Sequence, residues 1–180
     1  MTRQTLIVFS HGKESGPNGM KITRLAQVGS NAGARVLSVD YSSMDDPELR
    51  VQKLLSHDLP THDQLILVGS SMGGYVSTVA SNAFSAKGRG VSGLFLLAPA
   101  FYLADLQVAS AYAVYEPFPK ADFVEIVHGW DDDVVPVGHS IKFAQRHNAA
   151  LHILASDHRL NSVLAQLEVL FGDFLKRCMD

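Results

Sequence analysis

The stretch ILVGSSMGGY, residues 66–75, passes from aliphatic residues directly into serines and glycines, then resumes with a helical pattern. Gly69-Ser70-Ser71-Met72-Gly73 fits G-x-S-x-G with Ser71 at the centre. Ser70 fails the same test, because Val68 and Met72 would occupy its glycine positions. A serine on a sharp strand-to-helix turn sits in strained backbone and projects its hydroxyl above the sheet. Small residues two before and two after relieve the clash between the crossing strand and helix. The N–H of the next residue, Met72, would lie at a helix N-terminus, where it can stabilise a developing oxyanion. The competing reading is a glycine-rich turn without chemistry, since a serine hydroxyl is a weak nucleophile without a base.

Candidates for the base and its orienting acid stand further along the chain. VHGWDDDVVP, residues 127–136, carries the consecutive aspartates Asp131, Asp132 and Asp133 ahead of Pro136. LASDHRL, residues 154–160, holds His158. A metal site from His152, Asp157 and His158 lacks any recognised ligand spacing. Lys13 in GKESG lacks the upstream glycine and the following Ser or Thr of a phosphate loop. VGSNAGA, residues 28–34, has dinucleotide-like glycines but closes a helix rather than following a strand.

The elements that must position these residues read as an alternation. Short apolar runs at LIVF (6–9), RVLSV (35–39), LILV (65–68), GLFLLA (93–98), FVEIV (123–127) and LHILA (151–155) are mostly continuous. Continuous runs mark strands buried on both faces, as in a parallel sheet. Helical stripes lie between them. Ile22, Leu25, Ala26 and Gly29 form one face; Asp46-Pro47-Glu48 is a helix start that Pro60 should close. Val76, Val79, Ala80, Ala83 and Phe84 keep helical spacing up to a stop at Gly88. Leu160, Val163, Leu164, Leu167, Phe171, Phe174 and Leu175 share one stripe of the last helix. The pattern predicts an α/β fold: a doubly wound, about six-stranded parallel sheet in one domain over residues 1–180. Ser71, the aspartates and His158 then all fall at C-terminal strand ends, where such sheets place their sites.

The order Ser, Asp, His resembles that of the α/β-hydrolase superfamily, and more narrowly its small bacterial esterase-like members with a minimal cap. The likeness runs over nearly the whole chain. Aligning His128-Gly129 and Val135-Pro136 with the family's H-G-x-x-D-x-x-V-P places the acid at Asp132, and the D-H-R ending places the base at His158. Asp131 and Asp133 would point elsewhere and cap the next helix. FSHGKESGPNG, residues 9–19, resembles the oxyanion loop, which implies that the Lys13 N–H pairs with that of Met72. Two departures stand out. The family's first two strands have no room before LIVF, so the sheet should be a trimmed six-stranded core. The cap-like insertion, residues 100–122, is short, though it holds Phe101, Tyr102, Tyr112, Tyr115 and Phe118. Tyr112, Tyr115 and Trp130 are candidates for the substrate pocket; Phe101 and its neighbours could equally plug the end of the sheet.

The resemblance implies a serine hydrolase for small soluble carboxylic esters, working through an acyl-enzyme with no metal or organic cofactor. A thioesterase, amidase or perhydrolase would use the same triad, and a non-catalytic binding protein would keep the fold. Among the eight histidines, His57 and His62 read as surface and His139 and His147 as helix residues. His152 reads as a strand residue, and His11 and His128 as packed strand-end histidines. A net charge of −3 with scattered Lys and Arg argues against a nucleic-acid partner. The apolar runs are too short to cross a bilayer. MTRQTLIVFSHG leads into His11-Gly12 rather than a cleavage site, and Cys178 is the sole cysteine, so the expected compartment is the cytoplasm.

Overall fold

The computed structural model describes residues 3–103, 114 and 116–180. The strands are β1 (Thr5–Ser10), β2 (Arg35–Val39), β3 (Gln64–Ser70), β4 (Gly93–Leu97), β5 (Phe123–Gly129) and β6 (Ala150–Leu154). The helices are α1 (Met20–Asn31), α2 (Pro47–Ser56), α3 (Met72–Ala86), α4 (Val137–His147) and α5 (Leu164–Met179). All strand pairs are parallel, in the order β2-β1-β3-β4-β5-β6. The doubly wound six-stranded sheet read from the sequence is therefore the architecture of the chain. No helix among the described residues is long and apolar enough to cross a membrane.

Strand periodicity divides the core in two. Leu6 and Val8 of β1 face one side with Leu65, Leu67, Leu94 and Leu96, against Val51 and Leu54 of α2, Val76 of α3 and Phe143 of α4. Ile7 and Phe9 face the other side with Ile66, Val68, Phe95 and Leu97, against Leu25 of α1 and Leu167, Phe171 and Phe174 of α5. Successive strand residues point to opposite faces, so continuous apolar runs are what a sheet covered on both sides requires.

The outer strands depart from that rule. β2 is exposed at Arg35 and Val36, and β6 is only half-buried, because each has a neighbour on one side alone. At the β6 edge, Glu125 of β5 is buried and held by His152 at 2.9 Å and by Arg177 of α5. Helix starts follow the sequence reading for α2: Asp46 Oδ1 accepts the N–H groups of Glu48 and Leu49, with Pro47 at the first helical position. That helix ends at Ser56, short of Pro60, because His57 is already extended. α5 begins at Leu164, not at Leu160, which is left-handed (φ 57°) and precedes a 3-10 turn over Asn161–Val163.

The chain goes from β1 outward to β2, then returns past β1 to β3. The strand order therefore reverses between β1 and β3. A crevice opens at the carboxyl ends of strands flanking such a reversal.

Candidate active site

Ser71 sits between β3 and α3 with φ 55° and ψ −119°, a conformation that L-residues rarely adopt. Its neighbours permit the bend. A Cβ on Gly69 would lie 2.2 Å from the Gly73 oxygen, and one on Gly73 would lie 1.9 Å from the Ser10 oxygen. Only glycine fits at either position. The turn is also tied to β4 and the segment beyond it: the Ser71 N–H donates to Leu97 O at 2.9 Å, and Ser71 O accepts from Ala100 N at 3.0 Å.

The end of β5 and the loop after β6 are laced together. Trp130 N–H donates to Leu154 O at 2.8 Å and Asp131 N–H to Ser156 O at 3.0 Å. A Cβ on Gly129 would meet the carbonyls of Ser156 and Asp157 at 2.4 Å, so the close approach depends on glycine there. Asp157 Oδ1 accepts the N–H groups of Arg159 and Leu160, which shapes the loop that presents His158.

Across this junction three side chains form one hydrogen-bonded series. Asp132 Oδ2 is 2.7 Å from His158 Nδ1, and His158 Nε2 is 3.0 Å from Ser71 Oγ. Because the carboxylate can only accept, Nδ1 carries the imidazole proton and Nε2 is left to accept from the serine hydroxyl. Asp132 is fully buried as a side chain and is also held by His128 Nε2 at 2.9 Å. Its Oδ1 accepts the N–H groups of Val134 and Val135 at 2.9 and 2.8 Å. Burial pushes this carboxyl up, but the hydrogen bonds from His128, His158 and Val135 outweigh it and hold it well below the usual carboxylate range. The group stays ionised wherever the protein is folded at ordinary pH.

Two sequence expectations change here. Asp131 and Asp133 do not cap α4: that helix starts after Pro136 with no side-chain cap, and Asp132 itself takes the free N–H groups of the turn. His128 is buried as expected, with its Nδ1 on Ser140 Oγ at 2.7 Å. Its Nε2, shared between Asp132 Oδ2 and Val135 O, makes it a second anchor of the acid, a role its position before Gly129 did not suggest.

The loop after β1 reaches the serine as well. A Cβ on Gly12 would lie 3.4 Å from the Ser71 Cβ, so the loop after β1 runs directly beside the serine. Neither the Lys13 nor the Met72 N–H donates a hydrogen bond among the described residues. The Lys13 side chain is exposed, with Nζ 3.7 Å from Asp45. Lys21, in the first turn of α1, was not singled out from sequence. Burial pushes its ammonium down to about 8 against the opposing pull of Asp157 and Asp132, which marks a cation close to the acid.

The pocket candidates fare unevenly. Tyr112 and Tyr115 lie outside the described residues. Phe101 and Tyr102 are core residues, Phe101 stacking on Phe143 with ring centres 4.3 Å apart. The flanks of the insertion are anchored: Tyr102 Oη donates to Glu116 Oε1 at 3.1 Å, and Tyr75 Oη accepts the Val114 N–H at 3.1 Å. Trp130 is 61% exposed, so its indole is not part of the core. His139 bonds Phe101 O at 2.7 Å, and His152 is turned to Glu125 rather than to Asp157 and His158.

Comparison with known proteins fits this architecture. The model of the Uncharacterised protein family (UPF0227) matches residues 6–109, more than half of the chain and inclusive of Ser71. No curated protein matches it. A candidate hydrolase of the alpha/beta superfamily from Xanthomonas campestris pv. campestris is 26% identical, with a TM-score of 0.79 over 98% of this chain and 99% of that one. Est1E from Butyrivibrio proteoclasticus is 16% identical, with a TM-score of 0.81 over 98% of this chain and 88% of that one. A serine hydrolase without a lid, also from Xanthomonas campestris, is 17% identical, with a TM-score of 0.76 over 99% of this chain and 84% of that one. The chain belongs to the Uncharacterised protein family UPF0227, and its fold is that of the α/β-hydrolases.

Proposed function

We propose that the protein is a serine hydrolase acting on small soluble carboxylic esters, with Ser71 as nucleophile, His158 as general base and Asp132 as its orienting acid. The observation that carries this reading is the unbroken series Asp132 Oδ2–His158–Ser71 Oγ, with contacts of 2.7 and 3.0 Å, ending on a strained serine. His158 Nε2 takes the hydroxyl proton as Ser71 Oγ attacks the ester carbonyl, and Asp132 stabilises the imidazolium that forms. The carbonyl oxygen, now an oxyanion, receives the N–H groups of Met72 and Lys13. Collapse of the tetrahedral intermediate expels the alcohol, which takes the proton from His158 and leaves the acyl group on Ser71. Water, deprotonated by His158, then attacks the acyl-enzyme; the second tetrahedral intermediate collapses, His158 returns its proton to Ser71 Oγ, and the carboxylic acid departs.

The likeness to Est1E, and to the Xanthomonas hydrolases, supports hydrolysis as the general class. The size of the substrate follows from the brevity of the insertion. Residues 100–122 are enough chain for a shallow wall only, and Tyr112, Tyr115 and Trp130 remain the sequence's candidates for it. Each buried methylene is worth roughly 0.8 kcal/mol, so a deep channel would raise kcat/KM steadily with acyl length. A series of nitrophenyl esters below micelle-forming concentrations tests this. Efficiency should be greatest from acetyl to butyryl and fall by octanoyl; a maximum at octanoyl or beyond removes the small-ester reading. Matched thioesters and amides in the same assay distinguish the ester from the other acyl groups that this triad could attack.

A further inference from the structure

Arg50 of α2 is 1% exposed, an unusual place for a guanidinium. It donates from Nε to Met44 O at 2.7 Å and from Nη1 to His11 O at 2.9 Å and Gly12 O at 3.3 Å. Its Cζ lies 5.3 Å from the centre of the Tyr41 ring. The target carbonyls belong to the loop that passes beside Ser71.

The histidine of that loop adds a second restraint. His11 Nε2 accepts the Tyr41 backbone N–H at 2.9 Å, so the proton of the neutral ring is on Nδ1. Nδ1 in turn donates to Gly12 O at 2.7 Å. Burial pushes His11 below its ordinary range, which keeps the ring in this neutral form. The Gly12 carbonyl is thus held by both His11 and Arg50.

We propose that Arg50 is a positioning residue for the oxyanion hole, acting by fixing the orientation of the Gly12–Lys13 peptide. The inference rests on the hydrolase reading above. The peptide is trans, as are all among the described residues, so its N–H and C=O lie on opposite edges of one plane. Turning Gly12 O inward toward Arg50 and His11 presents the Lys13 N–H on the outer edge, where it makes no other hydrogen bond among the described residues. Were the peptide to flip, an acceptor would replace that donor, and the hole would oppose the charge it should stabilise. A guanidinium serves better than a neutral donor because charge-assisted bonds are shorter and stronger, and its Nη1 alone reaches two successive carbonyls while Nε is held by Met44 O.

The test compares wild type with Arg50→Lys and Arg50→Met, with kcat expressed per site titrated by a fluorophosphonate. Loss of one oxyanion donor costs about 10²–10³ in kcat. A loosened donor should cost roughly 10- to 100-fold, with KM changed less than about twofold. Affinity for an alkyl boronic acid, which forms a tetrahedral adduct on the serine, should fall by the same factor as kcat. Lysine should recover part of the loss. Phe174→Leu, a truncation in the α5 core, should lower stability and leave kcat per site as in wild type. Folded Arg50 variants with wild-type kcat and boronate affinity overturn the positioning role while the hydrolase reading stands. If wild type neither turns over esters nor labels, both fall together. If neither Arg50 variant folds, a crystal structure of the wild-type phosphonate adduct decides. The phosphoryl oxygen should sit within hydrogen-bond reach of the Lys13 and Met72 nitrogens, with Arg50 on both carbonyls. A Lys13 N–H turned away, or Arg50 parted from Gly12, overturns the proposal.

Discussion

His128 and His158 converge on a single oxygen of Asp132, the first through Nε2 at 2.9 Å and the second through Nδ1 at 2.7 Å. One donor orients the acid from the sheet side, and the other is the ring the acid must orient. His128 in turn is fixed by Ser140 and by the Val135 carbonyl. His128→Phe should therefore lower stability by roughly 1–3 kcal/mol, the range for leaving buried polar groups unpaired. It should also lower kcat more than it raises KM, because Asp132 loses a restraint while the substrate contacts remain. Chemical denaturation alongside steady-state kinetics checks both effects.

The aspartates should separate cleanly. Asp132→Asn should cost orders of magnitude in kcat, about 10⁴-fold by analogy with the triad aspartate of a serine protease. Asp131→Asn and Asp133→Asn should cost far less, because neither side chain accepts a hydrogen bond among the described residues. Equal losses across the three would mean that local charge, rather than the bond to His158, supports activity.

The elbow should be intolerant of a methyl group. Gly73→Ala puts a Cβ 1.9 Å from the Ser10 oxygen, a backbone atom that cannot turn aside as a flexible side chain would. A loss of roughly 3 kcal/mol, the upper end of overpacking costs, is expected in denaturant melts. Gly138, where a Cβ meets nothing within 4 Å, is the matched control and should tolerate alanine.

Acid should destabilise the fold through two buried imidazoles. Burial lowers both His11 and His147 from their ordinary value of 6.5, against the pull of Glu116 at 3.8 Å from His147 Nε2, an atom with no hydrogen-bond partner among the described residues. As the pH falls below that value the unfolded chain takes up protons first. Stability is therefore fully present above pH 6.5 and declines as the pH drops toward the lowered values of the native state. His147→Leu should remove part of this slope and be near neutral at pH 7.5, since the ring packs against Phe118 and Phe143. Melting temperatures across pH 5–8 for both proteins check it; an unchanged slope would assign the acid sensitivity elsewhere.

Much of this was legible in the sequence because it rests on local rules. Ser71 is framed by glycines that the backbone crossing demands, and its neighbours have the periods of a strand and a helix. His158 and the aspartates follow apolar runs, so their place at strand ends could be read before any contact was known. The choice of Asp132 among three aspartates needed the family spacing. What stayed hidden depends on contacts distant in sequence. Nothing in RVLSV says that β2 is an edge strand. Arg50 lies beside Val51 on a helix whose pattern gives no reason to bury a charge; two of its carbonyl partners are 38 and 39 residues away. His128 likewise shows its second role only once the turn after β5 folds Asp132 back against it.

The most direct measurement is intact-mass analysis after exposure to a fluorophosphonate, made on wild type, Ser70→Ala and Ser71→Ala. Wild type and Ser70→Ala should each gain one phosphonyl group and lose nitrophenyl acetate hydrolysis in proportion. Ser71→Ala should gain none and hydrolyse no ester, with its melting temperature close to wild type. Labelling that survives in Ser71→Ala, or disappears in Ser70→Ala instead, would contradict Ser71 as the nucleophile.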